Sequence, residues 1–258
     1  RQVYKKRPKL LNRLWKLRSV IWREGHIPTY WQVADGCFVP KEENSAEIKQ
    51  LRTISLLNVE GKIFFAVLAR ITSYIVDNEY VDTSVQKGGI PGFPGCLEHT
   101  SVISQFIKEA KEMKGDLTVE WFDLADAYGT VPHKLIETAL EHYHIPEKIA
   151  RIVKDYLERI HLRFRVGDYI TSWQRLEKGI VTGCTISVIL FVMAMNFMIQ
   201  AGKRETKGPK TKADIRQPPG RGFMDDVTVT TTTHLSLIHI SEPTRPLYIS
   251  YAVFCLKK

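Results

Sequence analysis

Apolar residues recur at helical spacing in some stretches of the chain and form short β-branched or aromatic runs in others. In residues 8–24, Leu10, Leu14 and Leu17 share one helical face, which predicts a helix. The same reasoning predicts helices over residues 59–75, 98–113, 133–143, 147–159 and 186–199. It predicts strands over residues 37–39, 51–56, 117–122, 162–166 and 169–173, and a strand, acidic turn and strand over residues 221–233. Mixed helices and antiparallel hairpins predict an α+β fold.

Composition places the chain among ordinary globular proteins, with 44% hydrophobic and 25% charged residues in 258. Its longest apolar run, residues 186–199, is shorter than the roughly 20 residues that a membrane-spanning helix needs, so we expect no membrane partner. Four scattered cysteines and the lack of a signal-peptide pattern favour an intracellular location, either nuclear or cytoplasmic. The first residue is Arg rather than Met, from which we expect a fragment of a longer protein.

The net charge of +9 is concentrated at one end of the sequence. Residues 1–24 contain nine Lys or Arg and one acidic residue, Glu24. A basic helix beside a nearly neutral body can follow a nucleic-acid backbone by releasing counterions. It can equally be the solvated face of a helix whose apolar side is buried. Charge alone leaves both interpretations open.

The last 24 residues, 235–258, depart from the pattern before them. Their segments LSLIHISEPTR and ISYAVFCL resemble the translated constant parts of a transposase-type sequencing adapter, separated by a short variable index. The alternative is a natural strand-rich tail. We expect residues 235–258 to be an adapter-derived artefact with no fixed place in the fold.

Acidic residues stand at the ends of two predicted strands. Asp123 ends the apolar run LTVEWF, and Asp225 and Asp226 lie in the turn before VTVTTTT. Converging carboxylates are what two-metal phosphoryl transfer requires, although acidic turns between strands are common without any catalytic role. Cys96 and His99 have the spacing of zinc ligands, but no second pair accompanies them, which argues against a zinc site.

Three segments around these carboxylates carry a family resemblance. Residues 122–128 read FDLADAY, residues 179–191 read GIVTGCTISVILF, and residues 223–226 read FMDD. In this order they resemble the first palm motif, the loop-and-helix motif and the aromatic-X-Asp-Asp motif of reverse transcriptases. Upstream, Lys41 and residues 51–57 (LRTISLL) resemble the fingers motif of non-LTR retrotransposon enzymes, and residues 86–99 resemble the loop that follows it.

The resemblance implies an α+β fold with the fingers and palm of a right-hand polymerase, an antiparallel palm sheet and no thumb. It divides the chain into a basic N-terminal helix (1–26), a fingers-like region (27–116), an incomplete palm-like region that includes inserted fingers and palm helices (117–234), and the artefactual tail (235–258). The motifs of the later palm, the primer grip and the thumb have no counterpart in the sequence. We therefore expect little synthesis from this chain by itself.

The resemblance also implies the chemistry of a mobile-element reverse transcriptase, an RNA-directed DNA polymerase. Its partners would be an RNA template, a DNA primer and deoxynucleoside triphosphates, and its cofactors two Mg²⁺ ions, with Mn²⁺ as a substitute. The family motifs assign catalysis and metal binding to Asp123, Asp225 and Asp226. They assign nucleotide binding to Lys41, Arg52, Tyr128 and Gly183.

Some positions depart from the usual family pattern, and two other functions remain open. Thr182 stands where the family usually has Gln, Thr53 where it usually has Pro, and Gly129 where it often has Asp. One alternative function is an RNA-dependent RNA polymerase, although that family generally has Asp at the position of Tyr128. The other alternative is a remnant that binds nucleic acid through its basic helix without catalysis.

Overall fold

The computed structural model describes residues 4, 6–43, 45, 47–93, 95–232 and 249–256. The chain divides into two compact units. Unit 1 consists of Arg1–Ile71 and Tyr128–Val188, and unit 2 of Thr72–Ala127 and Ile189–Lys258.

The described chain contains both helices and strands. The α-helices are α1 (Pro8–Glu24), α2 (Val59–Leu68), α3 (Ile71–Asp77), α4 (Leu97–Met113), α5 (Ala127–Thr130), α6 (His133–His142), α7 (Glu147–Arg159) and α8 (Ser187–Glu205). The strands are β1 (Val33–Pro40), β2 (Leu51–Leu57), β3 (Leu117–Leu124), β4 (His161–Val166), β5 (Tyr169–Ile170), β6 (Gln174–Arg175), β7 (Gly220–Phe223), β8 (Asp226–Thr231) and β9 (Ile249–Leu256).

Unit 1 contains a mixed sheet with strand order β2-β1-β4-β5, and β6 also pairs with β4. β1 and β2 form the predicted antiparallel hairpin, whereas β1 and β4 are parallel. An aromatic core of Trp31, Phe64, Phe65 and Tyr156 supports this unit. Phe65 and Tyr156 have ring centroids 4.5 Å apart. Such a pair stabilises a fold by about 0.5–1.5 kcal/mol beyond its buried area.

Unit 2 contains an antiparallel sheet with strand order β7-β8-β3-β9. Helix α4 packs on β3, where Phe106 and Ala110 join Leu117 and Val119 in a buried cluster. The apolar face of α4 therefore fixes the strand that carries Asp123.

The α+β class and the antiparallel palm-like sheet are confirmed, and so are helices α1 and α7 with their predicted bounds. The single helix predicted over residues 59–75 is wrong. It ends at Leu68, where the amide of Arg70 bonds the carbonyl of Val67 (3.2 Å), three residues back instead of four. Apolar spacing does not register such a tightening of the backbone. Among the described residues we find no helix whose length and apolarity would let it span a bilayer.

The tail departs from expectation in one part. Residues 249–256 form strand β9, whose backbone is antiparallel to β3 with Asp123 opposite Ser250. The expectation that the tail has no fixed place is therefore wrong for this strand. A run rich in β-branched and aromatic residues readily pairs with an open strand edge, whatever its origin. Residues 233–248 lie outside the described residues, and the adapter origin stays a prediction.

Candidate active site

Asp123 lies near the end of β3, and Asp225 and Asp226 lie where β8 begins. Phe122 pairs with Val227, and both side chains are buried. The pairing ends there, with Asp123 the next residue in β3 and Asp226 the residue before Val227 in β8. Because successive side chains in a strand point to opposite faces, both carboxylates lie on the face away from Phe122.

Asp225 occupies the two-residue turn that joins β7 to β8. The turn is closed by the pairing of Phe223 with Asp226, and its first residue, Met224, has a φ of +58°. Glycine usually fills this position of a tight hairpin. A non-glycine residue held there stores on the order of 1–3 kcal/mol of strain, which surrounding contacts must offset.

Asp226 lies close enough to the other two carboxylates for their charges to act on it. The pKa of Asp226 is raised, first by burial and then by the negative charges of Asp225 and Asp123. Within the described part of the chain, no group of three or more His, Cys, Asp and Glu side chains is arranged to hold a metal ion as it stands. The donor chemistry nevertheless fits a divalent cation, because carboxylate oxygens suit Mg²⁺ or Mn²⁺ and a cation would offset their repulsion.

Lys41 and Arg52 lie at one end of the β1–β2 hairpin in unit 1. Arg52 pairs with Val39, and the amide of Lys41 bonds the carbonyl of Gln50 at 2.9 Å. This register makes the two cationic residues diagonal neighbours on one face, and both are exposed. Two exposed cations on one face suit a phosphate group.

The loop that contains Gly183 is attached to β2. The amide of Ser55 donates to the carbonyl of Thr182 at 3.3 Å, and the Thr182 hydroxyl donates to the carbonyl of Thr53 at 2.8 Å. Gly183 has a φ of +90°, and a Cβ there would lie 2.8 Å from the Ser55 oxygen. Thr53 and Thr182, two departures from the family pattern, therefore contact each other.

Tyr128 is tied to the other end of the same loop. Its carbonyl accepts a hydrogen bond of 2.7 Å from the amide of Ile180, and its side chain is half-buried. Unit 1 thus joins Tyr128, Gly183 and Arg52 through one loop and one strand. The residues predicted to bind nucleotide therefore lie in unit 1, and the predicted metal-binding carboxylates lie in unit 2.

Sequence reasoning missed the contacts that residues 85–88 and His99 make with strand β7. The imidazole Nε2 of His99 lies 3.1 Å from the carbonyl of Gly222 in β7. Burial lowers the pKa of His99, which favours the neutral ring that donates from Nε2. The spacing of Cys96 and His99 raised the question of zinc, whereas His99 contacts a strand more than a hundred residues away. Only the glycines of the loop could have indicated a close backbone approach.

Comparison with known proteins decides the family. Residues 39–245 match the family model described as reverse transcriptase (RNA-dependent DNA polymerase). The chain belongs to this family. The matched range contains all seven predicted site residues, and also residues 85–88 and His99.

Curated relatives confirm the resemblance to non-LTR retrotransposon enzymes. The chain is similar to the retrovirus-related Pol polyprotein from type-1 retrotransposable element R2 of Nasonia vitripennis, with 25% identity over 71% of this chain and 18% of that protein. The corresponding protein of Popillia japonica is 22% identical over 79% of this chain and 28% of its own length. That of Bradysia coprophila is 23% identical over 83% of this chain and 24% of its own. The chain thus spans less than a third of these relatives.

Solved structures share the fold at low identity. Apo telomerase from Candida tropicalis, truncated from its C-terminal domain, gives a TM-score of 0.65 at 10% identity, over 90% of this chain and 52% of that one. Telomerase from Candida albicans in complex with a telomeric RNA fragment gives a TM-score of 0.57 at 11% identity, over 95% and 46%. The fingers and palm architecture is therefore shared.

Proposed function

We propose that this chain is the fingers and palm portion of an RNA-templated DNA polymerase from a mobile element. It would add deoxynucleotides to the 3′-hydroxyl of a DNA primer on an RNA template. The observation that carries the proposal is the position of Asp123 near the end of β3 and of Asp225 and Asp226 at the turn that leads into the neighbouring strand β8. The family motifs single out these three residues, and in unit 2 the two neighbouring charges act on the pKa of Asp226.

The carboxylates have distinct parts in this proposal. Asp123 and Asp225 would hold the divalent cations, and Asp226 would assist them. Two Mg²⁺ ions, or Mn²⁺ in their place, supply activation of the attacking hydroxyl and stabilisation of charge on the phosphate. The protein contributes the fixed strand ends of β3 and β8, since most of the catalysis in phosphoryl transfer comes from positioning and electrostatics.

The residues of unit 1 would bind the incoming nucleotide. Arg52 offers a bidentate guanidinium to phosphate oxygens, and Lys41 adds a point charge beside it. Gly183, which has no side chain, lets template and nucleotide approach the loop backbone. Tyr128 would fill the volume of a ribose 2′-hydroxyl and so select deoxynucleotides.

Helix α1 would contribute to binding of the nucleic-acid backbone. Of its basic residues, Lys9, Arg13, Lys16 and Arg23 are exposed, whereas Leu14 and Ile21 are buried. The helix therefore buries one side and presents positive charge on the other, so the two interpretations of its charge are compatible. Counterion release by these residues would make the affinity for RNA fall with salt.

Primer extension tests the proposal and separates its alternatives. The assay uses a primed RNA template, Mg²⁺, and either deoxy- or ribonucleotides. The 258-residue chain and the longest protein product of the same gene are assayed in parallel. We expect deoxynucleotide incorporation by the longer product and little synthesis by the chain alone, with Asp123→Asn inactive. Preferential ribonucleotide incorporation would favour the RNA polymerase. RNA binding without any synthesis would favour the non-catalytic remnant.

Tyr128→Ala sharpens the sugar assignment. Steric overlap in a close-packed site costs about 1–3 kcal/mol, so loss of the ring should relax the preference for deoxynucleotides by about tenfold to a hundredfold. The measurement is the ratio of kcat/KM for deoxy- and ribonucleotides. An unchanged ratio would remove Tyr128 from sugar selection.

A further inference from the structure

The turn that carries Asp225 is strained, so contacts with neighbouring residues must stabilise its conformation. Met224 has a φ of +58° without being glycine. Such a conformation persists only where surrounding contacts leave no easier alternative. The contacts that could hold the turn come from the segment Val85–Gly88, most of which belongs to the loop after the fingers motif.

This segment runs along the outer edge of β7. The amide of Gly222 donates to the carbonyl of Val85 at 2.7 Å, and the amide of Lys87 donates to the carbonyl of Gly222 at 3.1 Å. Gln86 and Gly222 form a parallel bridge between these two bonds. The segment therefore adds a short parallel partner to the hairpin on the side opposite β8.

Gly88 brings the segment against the turn itself. A Cβ on Gly88 would lie 2.1 Å from the amide nitrogen of Met224 and 2.7 Å from the carbonyl carbon of Phe223. Both are backbone atoms, which cannot move aside as a flexible side chain can. Gly88 does not have a positive φ, so the obstacle to a side chain at this position is its contact with the turn.

Side chains fix the segment in this position. The Oε1 of Gln86 accepts a 3.1 Å hydrogen bond from the amide of Gly88, and both residues are buried. His99 adds its bond to the carbonyl of Gly222, the group that also accepts from Lys87. Lys87 forms an ion pair with Glu98, and its ammonium lies 4.1 Å from the centre of the Phe93 ring.

We propose that Val85–Gly88 is a positioning element that holds the Met224–Asp225 turn in its strained conformation, with Gly88 as the residue whose lack of a side chain makes the contact. The inference rests on the proposed function, because it assigns to this element the placement of the Asp225 and Asp226 carboxylates for a divalent cation. Gly88 and Gln86 act through the turn and do not themselves contact substrate or metal.

The test compares two alanine substitutions in one loop. Gly88→Ala inserts a methyl group against Met224, whereas Gly95→Ala inserts one where no atom lies within 4 Å and φ is not positive. Mn²⁺ binding to the full chain is measured by electron paramagnetic resonance, and thermal unfolding checks that both variants fold. Loss of a supporting contact typically weakens metal binding by about tenfold or more, which we expect for Gly88→Ala and not for Gly95→Ala.

A second readout follows the contact itself. Hydrogen exchange at the Gly222 amide should quicken in Gly88→Ala and stay unchanged in Gly95→Ala, because that amide is bonded to Val85. Equal effects of the two substitutions on Mn²⁺ affinity, or no effect of either, would overturn the positioning role.

Asp225→Asn separates the two proposals. If Asp225→Asn weakens Mn²⁺ binding but Gly88→Ala does not, the positioning role fails and the metal site stands. If Asp225→Asn leaves the affinity unchanged, the proposed function fails, and the inference fails with it.

If Gly88→Ala does not fold, a second pair of substitutions with smaller effects tests the positioning role. Gln86→Met keeps the length of the side chain but removes the acceptor for the Gly88 amide. Loss of one such hydrogen bond should weaken Mn²⁺ binding by about threefold to tenfold. Gln105→Met on the exposed face of α4 is the matched control, since it also removes one side-chain hydrogen bond, to Glu109. Equal affinities in these two variants would overturn the proposal.

Discussion

Two hairpins of this chain each have a two-residue turn whose second residue is Asp, but the first residues of the two turns differ. In unit 1, Gly167 and Asp168 join β4 to β5, and in unit 2, Met224 and Asp225 join β7 to β8. The first turn residue has a φ of +58° in both. In unit 1 that residue is an exposed glycine, and a Cβ there would meet no atom within 4 Å, whereas in unit 2 it is a methionine.

Under the proposed function, the first turn only connects two strands, whereas the second carries a residue that binds a divalent cation. Glycine adopts a positive φ without strain, so the Gly167 turn needs no support. The Met224 turn is backed by Val85–Gly88 and by His99 through Gly222. Strain that is offset by this much neighbouring structure is typical of functional positions.

The largest expected difference between the turns is chemical. Both have Asp as their second residue, so Asp225→Asn and Asp168→Asn are matched substitutions. In an active polymerase, Asp225→Asn should lose several kcal/mol of transition-state stabilisation, or about three decades of rate, whereas Asp168→Asn should leave the rate unchanged. Single-turnover primer extension measures both. Retained activity in Asp225→Asn would remove the functional distinction between the turns.

A smaller difference should appear in stability. Gly167→Ala places a side chain at positive φ in open space and should lower the free energy of unfolding by about 1 kcal/mol. Met224→Gly relieves similar strain but loses a half-buried side chain, so its free energy of unfolding should stay within about 1 kcal/mol of the wild type. Urea denaturation checks both. A loss of several kcal/mol in Met224→Gly would show that packing of the methionine outweighs its strain.

The smallest effect concerns the support of the β7–β8 hairpin by His99. Burial lowers the pKa of His99 below its usual 6.5 in the folded protein. As the pH falls below about 6.5, the unfolded chain therefore binds a proton before the folded chain does, and the free energy of unfolding decreases. His99→Gln retains a donor for the Gly222 carbonyl and should lose this part of the pH dependence. Denaturation of both proteins between about pH 5 and pH 7 measures it, and identical slopes would show that His99 does not contribute.

The sequence predicted those features that depend on residues close together in the chain. Apolar spacing located α1 and α7, and the paired acidic residues marked the β7–β8 turn. It could not predict the contact of Gly88 with Met224, because the two residues are far apart in the chain and the contact depends on a missing side chain. The end of α2 at Leu68 likewise depends on a local change of hydrogen bonding that leaves the apolar pattern intact.

The pairing of β9 with β3 has a consequence for self-association. β3 carries Asp123 and is an inner strand only because residues 249–256 cover its second edge. A chain that ended at residue 232 would expose the amides and carbonyls of that edge along the eight positions of β3. Such an edge is a template for strand addition by another copy. Whichever segment follows residue 232 and covers this edge therefore reduces aggregation through the strand that carries Asp123.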